Sequence, residues 1–246
     1  FVFGQDNWGF ANTRENFDGQ YFLNPRDKRD LYKGLSHSDT EFMDQSRGNW
    51  IGQCYGFAVS SILKKMNVAS PLQRQKKLKP KYLHDMKISK DVESYKDVQS
   101  YISYYQLTQY LPGAWEDDIE HMELNKDRAA RQVSTVIKLK KCVEMVAKGS
   151  SPIVLSFGKS ILLGHAVVAD KYEAGDFDKK YNGRIRYYDS NYPEDSKRYL
   201  YINSKTGDWF VEQEGIKSSD PKAYLAFMDE PFIMNVKDLK VSVSRE

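Results

Sequence analysis

The hydrophobic pattern of this 246-residue chain changes its period near Pro152, and this change constrains the fold more than any other feature. Before Pro152, apolar residues recur every three to four positions over 54–66, over 128–148 and in pieces of 80–111, which predicts helices there. A short helix over 27–35 is predicted from Asn24-Pro25 before it and Gly34 near its end. After Pro152, short apolar runs between turn residues predict strands: 153–157, 166–172, 184–188, 198–202, 209–212, 224–228 and 232–236. Helices in one half and strands in the other predict an α+β protein rather than alternating βαβ units.

Composition sets the expected domain organisation. Hydrophobic residues make up 40% of the chain and charged residues 29%, which is typical of a globular protein. A chain of this length buries a core without disulfide or metal staples. We therefore predict a single domain over 1–246, in which 1–48 wraps the core, 49–150 is mainly helical and 151–246 is mainly β.

Charge and residue spacing argue against several kinds of partner. The net charge of +3 is too small to indicate nucleic acid, and the basic run at 74–81 lacks the alternating aromatics of a base-stacking surface. No apolar run approaches the ~18 residues that span a bilayer. The two cysteines do not make a disulfide framework, and no paired His or Cys spacing indicates a metal site. We expect no nucleic acid, membrane, metal or cofactor.

Cys54 is the first candidate for chemistry. It follows a loop with two glycines, Gly48 and Gly52, and begins a segment with helical periodicity. A helix N-terminus favours the thiolate form of cysteine, which is the nucleophilic form. The alternative is a small apolar side chain packed in a helix. Cys142 lies in the middle of a predicted helix, and for it the packed, inert thiol is the favoured interpretation.

His165 is the candidate general base. It opens the apolar strand segment 166–169, where a polar ring needs a partner; the alternative is a hydrogen-bonded core histidine. The next strand, 184–188, ends at Asp189, and Asn191 follows. If the two strands pair, Asp189 lies near the imidazole and orients it, with Asn191 as the alternative orienting residue. The competing interpretation of this stretch is an ordinary exit from a strand into a turn.

Three motifs in this order resemble the papain-like cysteine peptidase superfamily, in a divergent bacterial branch: Gly52–Ala58, Gly164–Val168 and Tyr188–Asn191. The resemblance implies a papain-like fold, in which the nucleophile helix packs against an antiparallel β half. It implies a cysteine peptidase that acts through Cys54, His165 and Asp189. It also implies a peptide or protein substrate, a pro-segment or docking module that has been removed, and a secreted or cell-surface location.

The resemblance leaves the oxyanion donor and the acceptor of the acyl group open. The family's oxyanion glutamine lies six residues before the cysteine, where this chain has Gly48. Gln53 and Asn49 are therefore our candidates for the side-chain donor, with Gln45 and Trp50 as alternatives. The same residues would serve a transglutaminase-like acyl transferase. A third alternative is a catalytically inactive papain-like binding module.

Overall fold

The computed structural model describes residues 1–48, 50–66, 83–86, 95–111, 128–148, 152–159 and 164–228. They form helices and one antiparallel sheet, so the fold is α+β, as the sequence predicts. They group into two compact units. The helical unit comprises the described residues of 2–111 with 190–194, and the sheet unit comprises Phe1 and the described residues of 128–189 and 195–228. The predicted single domain over 1–246 stays a prediction.

The helical unit contains four helices and two 3₁₀ turns among its described residues: Glu15–Phe17 (3₁₀), α1 Pro25–Tyr32, α2 His37–Gly48, α3 Cys54–Lys65, Leu83–Asp85 (3₁₀) and α4 Tyr95–Thr108. Helix α1 begins at Pro25, since the side chain of Asn24 accepts the backbone N–H of Asp27. The core of the helical unit includes a cluster of buried aromatic rings in contact with one another: Trp8, Phe10, Phe17, Phe57 and Tyr101. These rings fix α3 against α4 and the N-terminal segment.

Helix α2 was not predicted, because residues 1–48 were expected to form turns and extended segments. Met43 is its only buried side chain, so the segment carries no apolar stripe for periodicity to detect. The start of the helix is stabilised locally, since Ser36 Oγ accepts the backbone N–H of Asp39 at 3.2 Å. A serine at this position is a capping signal that the hydrophobic pattern does not contain.

Gly56 is required for the close packing of α3 on α4. Its backbone N–H donates to Gln106 Oε1 at 2.8 Å, and a Cβ at this position would overlap the backbone oxygen of Ile102. We expect Gly56→Ala to lower the free energy of unfolding by about 1–3 kcal/mol, because overpacking outweighs the better helix propensity of alanine. Urea unfolding measures the change.

Gly48→Ala is the matched control for Gly56→Ala. Gly48 ends α2 with nothing within 4 Å of the position of an added Cβ. Its replacement should leave stability unchanged or raise it by up to about 1 kcal/mol. Equal effects of the two substitutions would contradict the proposed close packing at Gly56.

The sheet unit is a seven-stranded antiparallel sheet with one packed helix, α5 Arg128–Ala147. Its strands are β1 Ile153–Gly158, β2 Gly164–Phe177, β3 Tyr181–Tyr188, β4 Tyr199–Ile202, β5 Trp209–Val211, β6 Ile216–Lys217 and β7 Tyr224–Met228. Their order across the sheet is β6-β5-β4-β3-β2-β1-β7. Leu139, Cys142 and Val146 of α5 join the core on one sheet face. Six of the seven predicted strands correspond to observed ones, and the seventh, 232–236, lies outside the described residues.

The sheet departs from the prediction at three strands, of which β3 begins three residues before the predicted 184. Strand β2 runs five residues beyond the predicted end at 172, because its distal half pairs with β3 although few of its side chains are buried. Strand β6 has only two residues, too few for a recognisable alternation. In the part of the chain that the structure describes, no helix has the length and apolar character needed to cross a bilayer.

Candidate active site

Cys54 is the first residue of α3 and is partly exposed. The loop before it turns at Gly52, whose φ of +122° is a conformation that residues with a side chain rarely adopt. Tyr21 braces this loop: its hydroxyl donates to the Gly52 carbonyl at 2.8 Å and accepts the Ile51 N–H at 3.3 Å. The predicted combination of a glycine turn, a cysteine and a helix start is therefore present in the structure, on the helical unit.

Two tyrosines, Tyr21 and Tyr110, interact electrostatically with Cys54. Burial raises the pKa of Tyr21 well above its ordinary value, and the charge of Cys54 adds to this increase. Burial also raises the pKa of Tyr110, again with a contribution from Cys54. Both phenols therefore stay neutral near pH 7, so the surroundings of Cys54 include two uncharged hydroxyl groups.

Asn12 is a functional candidate that the sequence analysis missed. Its side-chain oxygen accepts the backbone N–H of Gln53 at 2.9 Å, and its amide donates to Asn191 Oδ1 at 3.2 Å. Its own backbone N–H donates to the Ser190 carbonyl at 2.8 Å. Asn12 therefore joins the residue that precedes Cys54 to the two residues that follow Asp189 in the chain. The surrounding turn-rich sequence carries no pattern that singles it out.

The structure describes one of the two favoured oxyanion candidates, Gln53. Gln53 is fully buried and directly precedes α3; its side-chain oxygen accepts the hydroxyl of Ser103 at 3.0 Å. Its amide nitrogen is buried without a hydrogen-bond partner among the described residues. Asn49 lies outside the described residues. The assignment of the oxyanion donor therefore stays a prediction.

The register of β2 and β3 brings His165 and Asp189 together in the sheet unit. Val168 lies opposite Tyr188, so continuing this register by one residue sets Asp189 opposite Val167, two residues from His165. Residues two apart on a strand share a face, which makes His165 and Asp189 diagonal neighbours. Nε2 of His165 donates to Oδ1 of Asp189 over 2.7 Å.

The two members of this pair differ in exposure. The His165 side chain is 17% exposed, whereas that of Asp189 is 0% exposed. Phe157, opposite His165 on β1, packs edge-on against the imidazole with a centroid distance of 5.8 Å. The ring is thus held between the aromatic side chain of Phe157 and the buried carboxylate of Asp189, which lies at Nε2. Asn191, the alternative orienting residue, accepts from Asn12 in the helical unit.

Arg198 is a second residue that the sequence analysis missed. Its Nη1 donates to the other oxygen of Asp189, Oδ2, at 3.1 Å. Burial works to lower the pKa of Arg198, but Asp189 and Tyr187 outweigh burial and raise that pKa above its ordinary value. Arg198 therefore stays charged beside the buried carboxylate. Because the sequence placed it as an ordinary strand residue, only its distance to Asp189 reveals the connection.

Cys142 differs from Cys54 in its position within a helix and in its burial. It lies within α5, is buried in the core of the sheet unit and is 2% exposed. Burial raises the pKa of its thiol well above the ordinary value, which disfavours the reactive thiolate. Within the described part of the chain, no group of three or more His, Cys, Asp or Glu side chains is placed to hold a metal ion.

A scan against protein-family models, a search of curated proteins and a search of solved structures each found no match for this chain.

Proposed function

We propose that this chain is a cysteine peptidase with a papain-like fold, in which Cys54 is the nucleophile and His165 the general base. The observation that carries the proposal is the 2.7 Å hydrogen bond between His165 and the fully buried Asp189. A carboxylate at one ring nitrogen fixes the tautomer and the orientation of a histidine and stabilises its charged form. A hydrogen-bonded core histidine is satisfied by any neutral acceptor, whereas a carboxylate is the partner that orients a general base.

The position of Cys54 supports its role as the nucleophile. It begins a 12-residue helix, where the backbone N–H groups and the helix dipole favour a negative charge. It is partly exposed, in contrast to the buried Cys142. Reactive cysteines occupy partly exposed sites that stabilise the thiolate. The two cysteines of this chain therefore provide a candidate nucleophile and an internal reference.

The proposed reaction proceeds in two balanced halves. The Cys54 thiolate attacks the peptide carbonyl carbon and forms a C–S bond; the C–N bond then breaks as the His165 imidazolium gives its proton to the leaving amine. A water molecule next attacks the thioester carbon while His165 takes its proton. The C–S bond breaks, the carboxylic acid leaves and the thiolate is restored. The backbone N–H of Cys54 and one side-chain amide stabilise the oxyanion in both halves.

Product analysis tests the proposal. Purified protein is incubated with a reduced, unfolded polypeptide, and new amino termini are identified by mass spectrometry. We expect cleavage that Cys54→Ala abolishes and Cys142→Ser retains. Incorporation of an added primary amine without new amino termini would indicate acyl transfer instead. Absence of both products, with a Cys54 thiol no more reactive than an ordinary one, would overturn the proposal in favour of a binding module.

A further inference from the structure

Arg198 makes ion pairs with three carboxylates although its side chain is only 6% exposed. Its Nη1 lies 3.1 Å from Asp189 Oδ2 and 3.2 Å from Glu214 Oε1, and its Nε lies 3.3 Å from Asp195 Oδ2. Glu214 and Asp195 are 33% and 44% exposed, whereas Asp189 is completely buried. One guanidinium thus connects the orienting carboxylate of the site to two carboxylates near the surface.

The backbone holds this arginine in place from a second direction. The Arg198 carbonyl accepts the backbone N–H of Tyr187, two residues before Asp189, at 3.1 Å. Arg198 is therefore held both at its backbone carbonyl and at its guanidinium group. Burying a charge costs free energy unless it is paired and hydrogen-bonded, and arginine has the fixed fork of donors that such pairing needs.

We infer that Arg198 is a positioning residue for the candidate active site: it holds the Asp189 side chain in the orientation that presents Oδ1 to His165. The carboxylate has two oxygens: the imidazole donates to Oδ1 and the guanidinium donates to Oδ2. Without the guanidinium, the buried carboxylate would lose the positive charge beside Oδ2 and would turn or take up a proton, because either change reduces the cost of burying a negative charge. The catalytic meaning of this inference rests on the proposed function.

Asp195 and Glu214, the two partly exposed carboxylates, have a supporting role in the charge balance around Asp189. The groups that face Arg198 are Asp189, Asp195, Glu214 and the Tyr187 phenol, and His165 faces Asp189 from β2. Asp195 contacts the arginine at Nε and Glu214 contacts it at Nη1, so both help to keep it in position. The positive charge of Arg198 favours the ionised form of Asp189, in which the carboxylate accepts the hydrogen bond from the ring.

The test is an NMR measurement that does not depend on catalysis. Protein labelled with ¹⁵N-histidine is used to follow the Nε2–H proton of His165, which is identified by its loss in His165→Gln. We expect its hydrogen exchange in Arg198→Met to be faster by about tenfold or more, the effect of losing a charge-assisted hydrogen bond. Arg198→Lys keeps the charge but not the fork, and we expect an intermediate effect. Lys197→Met, the loss of a neighbouring exposed cation, is the matched control and should change nothing.

The outcomes separate this inference from the proposed function. A folded Arg198→Met with unchanged exchange of the His165 proton overturns the inference. If Arg198→Met does not fold, Arg198→Lys decides, and exchange equal to that of Lys197→Met overturns it. Peptide hydrolysis by the folded lysine variant should fall in kcat with KM unchanged. A wild-type protein without peptidase activity defeats the proposed function alone, because the NMR measurement on His165 still reports on Arg198.

Discussion

Cys54→Ser is expected to lower peptide hydrolysis by about 10⁴-fold or more, the largest effect of any single substitution in this chain. Serine is almost the same size, so the helix start and the loop that Tyr21 braces should be preserved. Its hydroxyl, however, does not ionise near neutral pH, and neither the start of α3 nor an imidazole tuned to a thiolate would supply the missing nucleophile. Initial rates on the best cleaved peptide, compared with wild type, measure the effect.

Alkylation of the two thiols provides the control for Cys54→Ser. We expect iodoacetamide to label Cys54 well below the pH of ~8.5 at which an ordinary thiol ionises, and His165→Ala to remove this early labelling. Cys142 should stay unmodified in the folded protein because burial raises its pKa. Peptide mass spectrometry locates the adducts. Labelling of Cys54 only at the pH of an ordinary thiol, or only after denaturation, would contradict a catalytic thiolate.

Asp189→Asn is expected to lower the free energy of unfolding by about 3 kcal/mol, the cost of breaking a buried ion pair from one side. The asparagine oxygen can still accept from His165, but its amide then faces the Arg198 guanidinium, and two donors meet in a buried position. Arg198 keeps Glu214 and Asp195 as partners, which limits the loss. Urea unfolding in a Cys54→Ser background, where self-cleavage does not occur, measures the difference.

Asp195→Asn is the matched control for Asp189→Asn. It makes the same chemical change in a second carboxylate partner of Arg198, but Asp195 is 44% exposed. Ion pairs with exposed groups contribute about 0–1 kcal/mol, so the expected loss of stability is small. Comparable losses in the two variants would show that Asp189 is not the buried partner on which this cluster depends.

The helices and strands near the site were predictable because their signals are local. The signals for α3 are a glycine turn, a cysteine and a helical stripe, which follow one another between Gly52 and Met66. Both helical periodicity and strand runs are properties of such short windows. Helix α2 was missed for the same reason, since its sequence lacks an apolar stripe and its stability is provided by a cap and by packing.

Side-chain contacts between residues in different elements were harder to predict from the sequence than the elements themselves. Asp189 was a candidate orienting residue for His165 only on the condition that β2 and β3 pair, and a one-residue shift in register would turn it to the opposite face. The contacts of Asn12 with Gln53 and of Arg198 with Asp189 span 41 and 9 residues. Nothing in the residues themselves distinguishes this asparagine or this arginine from others of their type.

Local sequence was therefore enough to specify the candidate nucleophile, the candidate base and the α+β class, because backbone conformation follows from short-range periodicity and turn chemistry. The hydrogen bond between His165 and Asp189, the guanidinium behind that carboxylate and the Asn12 contacts depend on strand register and on the burial of side chains distant in sequence. Such pairings are stabilised only when the whole unit folds, since a buried charge and its partner must be desolvated together.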